Sequence, residues 1–152
     1  MAQNNVHFRR ATHDDADRLA DIRVQAMRAS LEAVGRFDPK RARLRFLDNF
    51  QPEYTEVVLC DSECVGFFVV LRREDHLWLD HLYVLPQAQG LGLGTLVVKE
   101  VQARARDTGK AIHLMALRDS PANAFYRRHG FRFDRQDAYD CYYTWADSVP
   151  PQ

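Results

Sequence analysis

The chain has 152 residues, 46% of them apolar and 28% charged, which suits one soluble domain (1–152) with a real core. Its 21 basic and 21 acidic side chains cancel, so a dedicated nucleic-acid or anionic-membrane binder, which would show a basic excess, is not expected. No apolar run approaches the roughly 18 residues of a membrane span, and Met1–Asn5 lacks the charged and apolar regions of a secretory signal, so a cytoplasmic location is expected.

The first strand is expected at Val6–Ala11, where apolar and polar residues alternate. Thr12-His13-Asp14-Asp15 reads as a capping-box-like start with an acidic first turn. The helix behind it places Leu19, Ile22 and Ala26 on one stripe, continued by Met27, Leu31 and Val34, with Gly35 as the stop. Phe37-Asp38-Pro39 leads into a basic helix over 40–50, in which Leu44, Leu47 and Phe46 face inward and Arg41, Arg43 and Arg45 form a solvated face.

Strands follow at Thr55–Cys60 and Cys64–Arg72, joined by Asp61-Ser62-Glu63. That hairpin raises the question of whether Cys60 and Cys64 face each other. With Cys141 as the third cysteine, the odd number argues for reduced thiols without a disulfide framework. The stretch offers too few ligands for a metal, and none is expected.

A further strand, 76–85, runs into Gln89-Gly90-Leu91-Gly92-Leu93-Gly94, and Thr95 then opens a helix to about Thr108-Gly109 with Leu93, Val97 and Val101 on its core face. Glycines there let backbone N–H groups converge, and the helix N-terminus adds about half a positive charge. The spacing is not the dinucleotide fingerprint, and no Gly-Lys-Ser/Thr follows, so it is not a P-loop. It reads as a seat for phosphate or pyrophosphate, against the plainer reading of a tight strand-to-helix turn.

Beyond the strand Ala111–Leu117, Ser120 suits an N-cap and Pro121 the first position of a short helix. Gly130 suits its left-handed stop, with Phe131 closing it. Phe131–Phe133 and 139–145 supply the last strands, and Ser148–Gln152 is a polar tail with prolines. Early strands followed by a strand–helix–strand unit imply a mixed sheet with helices on both faces.

The two motifs together resemble the GNAT superfamily, the GCN5-related N-acetyltransferases. Gln89, Gly92 and Gly94 match its Gln/Arg-x-x-Gly-x-Gly/Ala pyrophosphate loop, and Asn123-Ala124-Phe125-Tyr126 followed by Gly130-Phe131 matches a common form of its late helix. Asn123 and Tyr126 stand three apart, not four as in the family's usual pattern. The resemblance implies an α/β (α+β) fold with a mixed, mostly antiparallel central sheet flanked by about four helices. It also implies that Gln89, Gly90, Leu91, Gly92, Leu93, Gly94 and Thr95 hold the pyrophosphate of acetyl-CoA, while Leu82, Tyr83 and Val84 pair with its pantetheine arm as an added strand would.

The implied reaction moves acetyl from the thioester directly to a primary amine of a small molecule or protein, in a ternary complex. The amine must lose a proton, the carbonyl oxygen must be stabilised, and the departing thiolate benefits from a proton. Tyr126 is the candidate proton donor to sulfur, and Asn123 a candidate pantetheine ligand that can equally serve only the helix start. Asp80 is the candidate base or water-relay anchor, because a carboxylate buried in an apolar strand would have its pKa raised. His81, on the strand's other face, and ordered water alone are the alternatives as base, and the plainer reading of Asp80 is a carboxylate paired with an arginine or standing at a solvated splay.

Arg127 and Arg128 are either phosphate contacts or solvated charges. Phe37, Phe46, Tyr139, Tyr142 and Tyr143 either line an acceptor pocket or pack the core, and Asp137 and Asp140 either attract a cationic amine or sit in a solvated hairpin. The rival readings are a non-catalytic coenzyme A sensor on the same fold and an interaction protein that uses its aromatic last strand as a homodimer interface.

Overall fold

The computed structural model describes residues 5–147; the sequence readings of Met1–Asn4 and of the tail Ser148–Gln152 lie outside it. The elements run β1 (Val6–Arg10), α1 (Ala16–Ala33), α2 (Pro39–Asp48), β2 (Thr55–Cys60), β3 (Glu63–Arg72), β4 (His76–Val84), α3 (Leu93–Thr108), β5 (Ala111–Leu117), α4 (Ala122–Arg128), β6 (Arg132–Gln136) and β7 (Asp140–Trp145). Single 3-10 turns precede α1, β2 and α3. Seven strands form one sheet in the order β1-β2-β3-β4-β5-β7-β6. β4 and β5 pair in parallel, and β1–β2, β2–β3, β5–β7 and β6–β7 are antiparallel. This is the mixed, mostly antiparallel sheet with four helices that the sequence led us to expect.

The chain divides into two compact units, one of Met1–Val69 and His81–Gly94 and the other of Val70–Asp80 and Thr95–Gln152. In the first, Asp15 closes the entry to α1 by accepting the Thr12 N–H at 2.8 Å and pairing with Arg9 at 2.9 Å. Leu19, Ala20 and Ile22 of α1 are buried, but Val34 is exposed, because the helix stops on it before Gly35 turns the chain.

Asp38 caps α2 by accepting the Arg41 N–H at 3.1 Å. Ala42 and Phe46, four residues apart, are the inward positions of α2, and that register turns Leu44 outward, correcting the expectation that it packs inside. Arg43 pairs with Asp17 and Asp21 on α1, while Arg41 and Arg45 stand in solvent. On β3, Phe67 packs on Phe46 and Phe68 on Phe8, with centroids 5.1 and 5.2 Å apart. The strand is buried on both faces, which explains its unbroken apolar run.

The β2–β3 hairpin turns on Asp61 and Ser62, both left-handed at φ 51° and 71°, as a two-residue hairpin requires. Cys60 lies opposite Glu63 and Cys64 opposite Leu59, with the register shifting only between Leu59 and Val58, so the two thiols are not cross-strand partners. All three cysteines are free.

In the second unit, one sheet face is core. Leu77 and Leu79 of β4, Ile112, Leu114 and Ala116 of β5, and Cys141, Tyr143 and Trp145 of β7 are all buried. Val97, Val101 and Ala105 are the buried stripe of α3, which Leu93 begins. The alternating residues Trp78, His113, Met115, Tyr142 and Thr144 on the opposite sheet face are half-buried or exposed.

Candidate active site

The first unit carries the glycine loop. Leu85 anchors its start, buried and donating its N–H to the Val65 carbonyl at 2.8 Å. After one turn of 3-10 helix, the Gln89 side chain reaches back to donate to the Val84 carbonyl at 3.0 Å. Gly90 and Gly92 then adopt φ 89° and 77°, a left-handed backbone that any side chain would strain. Beyond the adjacent residues, no heavy atom lies within 4 Å of where a Cβ would stand on either, so it is backbone conformation and not crowding that demands glycine.

Gln89, Gly90, Leu91 and Gly92 are all exposed, and α3 begins at once with Leu93. The first N–H groups of any helix lack intrahelical partners, so this 16-residue helix offers donors and a positive dipole end next to an open loop.

Leu82, Tyr83 and Val84 are half-buried at the end of β4. Opposite them the sequence reading missed Gly66. A Cβ there would stand 2.4 Å from the Tyr83 carbonyl oxygen, so only glycine lets β3 approach this part of β4. A lone glycine inside the apolar run Val65–Val70 was the available signal. His81 is also half-buried, its Nδ1 3.1 Å from the Tyr83 hydroxyl and its ring against Phe46 and Phe67 at 5.9 and 6.3 Å. Phe46 is therefore a core residue.

The second unit carries α4. The helix starts at Ala122, one residue later than expected, and the Ser120 hydroxyl does not cap it but donates to the Leu117 carbonyl at 2.7 Å. Asn123 takes over the work at this corner. Its Nδ2 donates to the Leu117 and Ser120 carbonyls at 2.9 and 3.0 Å, and its Oδ1 accepts the Tyr143 hydroxyl at 2.8 Å. Tyr143 itself is buried, one of the aromatic residues for which packing was the plainer reading.

The far end of α4 closes as a Schellman motif. Phe131 N–H donates to the Tyr126 carbonyl and Gly130 N–H to the Arg127 carbonyl, both at 3.1 Å, with Gly130 left-handed at φ 86°. The Tyr126 ring lies edge-on to Phe131 at 5.4 Å, the apolar contact that accompanies this motif, and the residue is 8% exposed. Arg127 stacks on Phe133 and Tyr143 at 5.8 and 5.9 Å.

Asp80 departs from expectation. It is exposed, not buried, and accepts the Trp78 indole N–H at 2.9 Å along the same strand face. The desolvation argument for it as a base therefore falls away, leaving its position and its charge. Thr95 is drawn to the end of α4, its hydroxyl 3.0 Å from His129 Nε2.

In the β6–β7 turn, Asp137 accepts the Tyr139 and Asp140 N–H groups at 2.9 and 2.8 Å and the Tyr142 hydroxyl at 2.8 Å. Those donors, the backbone ones foremost, hold its carboxyl below the usual range, and the hydrogen bond to that carboxylate in turn raises the Tyr142 phenol. Among the described residues, no group of three or more His, Cys, Asp or Glu is arranged to hold a metal, and no helix is long and apolar enough to cross a membrane.

The sequence model of the Acetyltransferase (GNAT) domain family matches residues 52–133, more than half of the chain. The chain belongs to the GNAT acetyltransferase family. The matched stretch contains both the glycine loop and α4. Three solved GNAT-fold structures illustrate the architecture. The PaiA N-acetyltransferase of Thermoplasma acidophilum, solved with coenzyme A, is 14% identical with a TM-score of 0.80, covering 94% of this chain and 99% of that one. An acetyltransferase of Thermus thermophilus is 18% identical with a TM-score of 0.76, covering 96% and 99%. A GCN5-related N-acetyltransferase of Rhodopseudomonas palustris is 18% identical with a TM-score of 0.77, covering 96% and 98%. At these identities the likeness is one of fold. No curated protein matches the sequence. Acetyl transfer is the activity that membership of the GNAT family supports.

Proposed function

We propose that this protein is an N-acetyltransferase that takes acetyl from acetyl-CoA and gives it directly to a primary amine while both are bound. One observation carries the reading: an exposed loop, left-handed at Gly90 and Gly92, that opens straight into the N-terminus of α3 in a GNAT chain. Such a loop presents backbone donors without side chains in the way, which is what a pyrophosphate needs. Coenzyme A bound to the Thermoplasma relative agrees with it. The residues proposed to hold the coenzyme are Gln89–Thr95 for the pyrophosphate, with Leu82–Val84 and Asn123 along the pantetheine arm.

In the proposed reaction the neutral amine attacks the thioester carbon and a tetrahedral oxyanion forms. Its collapse breaks the C–S bond, and the Tyr126 phenol gives the leaving thiolate its proton. Asp80, a solvated carboxylate, takes the amine's proton directly or through water. No covalent acyl-enzyme is needed, which agrees with Cys60 and Cys141 being buried and with burial pushing the Cys64 thiol upward, away from the thiolate form.

The test is thermal unfolding over concentration series of acetyl-CoA, NAD and ATP, followed by turnover with a panel of amines. A ligand that binds only the folded chain raises the midpoint with its concentration. A rise with acetyl-CoA alone, with turnover, is the expected result. A rise without turnover on any amine favours a coenzyme-binding module, and no rise at millimolar acetyl-CoA overturns the proposal.

A further inference from the structure

Beyond the N–H that donates to the Tyr126 carbonyl, His129 is fastened at three polar atoms, all within the second unit. Its Nδ1 lies 2.8 Å from the Phe125 carbonyl, its Nε2 3.0 Å from the Thr95 hydroxyl, and its own carbonyl accepts Gln102 Nε2 at 3.0 Å. A carbonyl can only accept, so Nδ1 carries a proton and donates it to Phe125, while Nε2 faces the Thr95 hydroxyl. The ring also packs on Phe125 at 4.5 Å. Gln102 is a buried polar side chain on α3, and its amide satisfies a carbonyl that the helix end would otherwise leave without a partner.

His129 thus ties the C-cap of α4 to α3 at two places, one of them the first turn of α3. The tie matters because α4 is only seven residues long, too short to hold its own geometry, and it carries Tyr126 three residues before His129. We propose that His129 is a positioning residue. It locks α4 onto the first turn of α3, so that the Tyr126 phenol is held where the thiolate leaves. The proposal rests on the acetyltransfer reading given above. It assigns to His129 no contact with substrate and no proton of the reaction.

The ring's two nitrogens can be removed separately. An asparagine amide stands near the position of Nδ1, so His129→Asn keeps the Phe125 bond and loses Thr95. The longer glutamine reaches the position of Nε2, so His129→Gln keeps the bond to Thr95. The acceptor is whichever amine of the panel the wild type turns over fastest. His129→Asn is expected to lower kcat about tenfold or more, as displacing a reacting group by an ångström does. Its acetyl-CoA Kd should stay within about twofold, and His129→Gln should recover kcat to within about threefold of wild type.

Calorimetry gives Kd, and thermal midpoints report folding. Three results overturn the proposal: kcat unchanged in both variants, kcat lost equally in both, or a fall in kcat that only follows the loss of folded protein. A wild type that neither binds acetyl-CoA nor acetylates any amine overturns the acetyltransfer reading itself, which is a different outcome from an active wild type with indifferent variants.

Discussion

From Gln89 to Gly92 every residue is exposed, two are left-handed, and neither Gly90 nor Gly92 has an atom beyond its chain neighbours within 4 Å of a Cβ position. At α4, Tyr126 is 8% exposed among aromatic rings, and Asn123 and His129 each hold at least two hydrogen bonds. In the loop, the backbone meets the ligand in our reading and the side chains stay out of the way. On α4, in the same reading, the Tyr126 side chain is proposed to do chemistry, and a network of bonds aims it. The loop should therefore respond to changes in backbone freedom, and α4 to the loss of single polar atoms. The loop's losses should appear in coenzyme affinity, and those of α4 in turnover.

The largest expected effect belongs to α4. Tyr126→Phe keeps the ring that packs on Phe131 and removes only the hydroxyl. Turnover should fall about a hundredfold, the low end of what a positioned proton donor contributes, while acetyl-CoA affinity stays within about twofold. Single-turnover kinetics with the best amine reads the first quantity and calorimetry the second. An unchanged rate would take Tyr126 out of the reaction and leave α4 as a packing element.

The loop's counterpart is Gly92→Ala. The space around it is open, so the methyl group meets nothing, but at φ 77° an L-residue costs about 1–2 kcal/mol. That strain is relieved by turning the local peptides away from the arrangement in which their N–H groups converge. Acetyl-CoA should bind about tenfold more weakly, with kcat at saturation nearly kept. If affinity holds and kcat falls instead, the division of labour between loop and helix is wrong.

The sequence disclosed these two regions unequally. Glycine spacing is a local property of the backbone, so the loop was legible from Gln89 to Gly92, as was the stop at Gly130, but Leu93 and Gly94, read as part of the loop, already belong to α3. Burial is not local. Asp80 sits in an apolar strand, yet its face of β4 is open, and nothing in Leu79-Asp80-His81 says which face is covered. Leu44 was misjudged for the same reason, since the stripe of Ala42 and Phe46 is selected by what α2 packs against. His129 and Gln102 were invisible for another reason: their bonds join residues 34 and 27 positions apart in the chain. Gly66 was visible as an oddity but became intelligible only when β4 lay beside it.

The smallest expected effect decides what Asn123 does, which the comparison of loop and helix leaves open. Its amide already holds the β5–α4 corner through two carbonyls, and its oxygen accepts the Tyr143 hydroxyl at 2.8 Å. Tyr143→Phe removes that donor and keeps the buried ring. If Asn123 serves the corner alone, the loss is that of one hydrogen bond, about 1 kcal/mol of stability, and acetyl-CoA affinity does not move. If the Asn123 Oδ1 also meets the pantetheine arm, loss of the Tyr143 bond disturbs the aim of that oxygen, and affinity falls in step with stability or further. Urea unfolding measured beside coenzyme titration on the same variant separates the two. Asn123 lies one turn before Tyr126, so the answer also tells whether α4 meets the coenzyme along its length or only at the tyrosine.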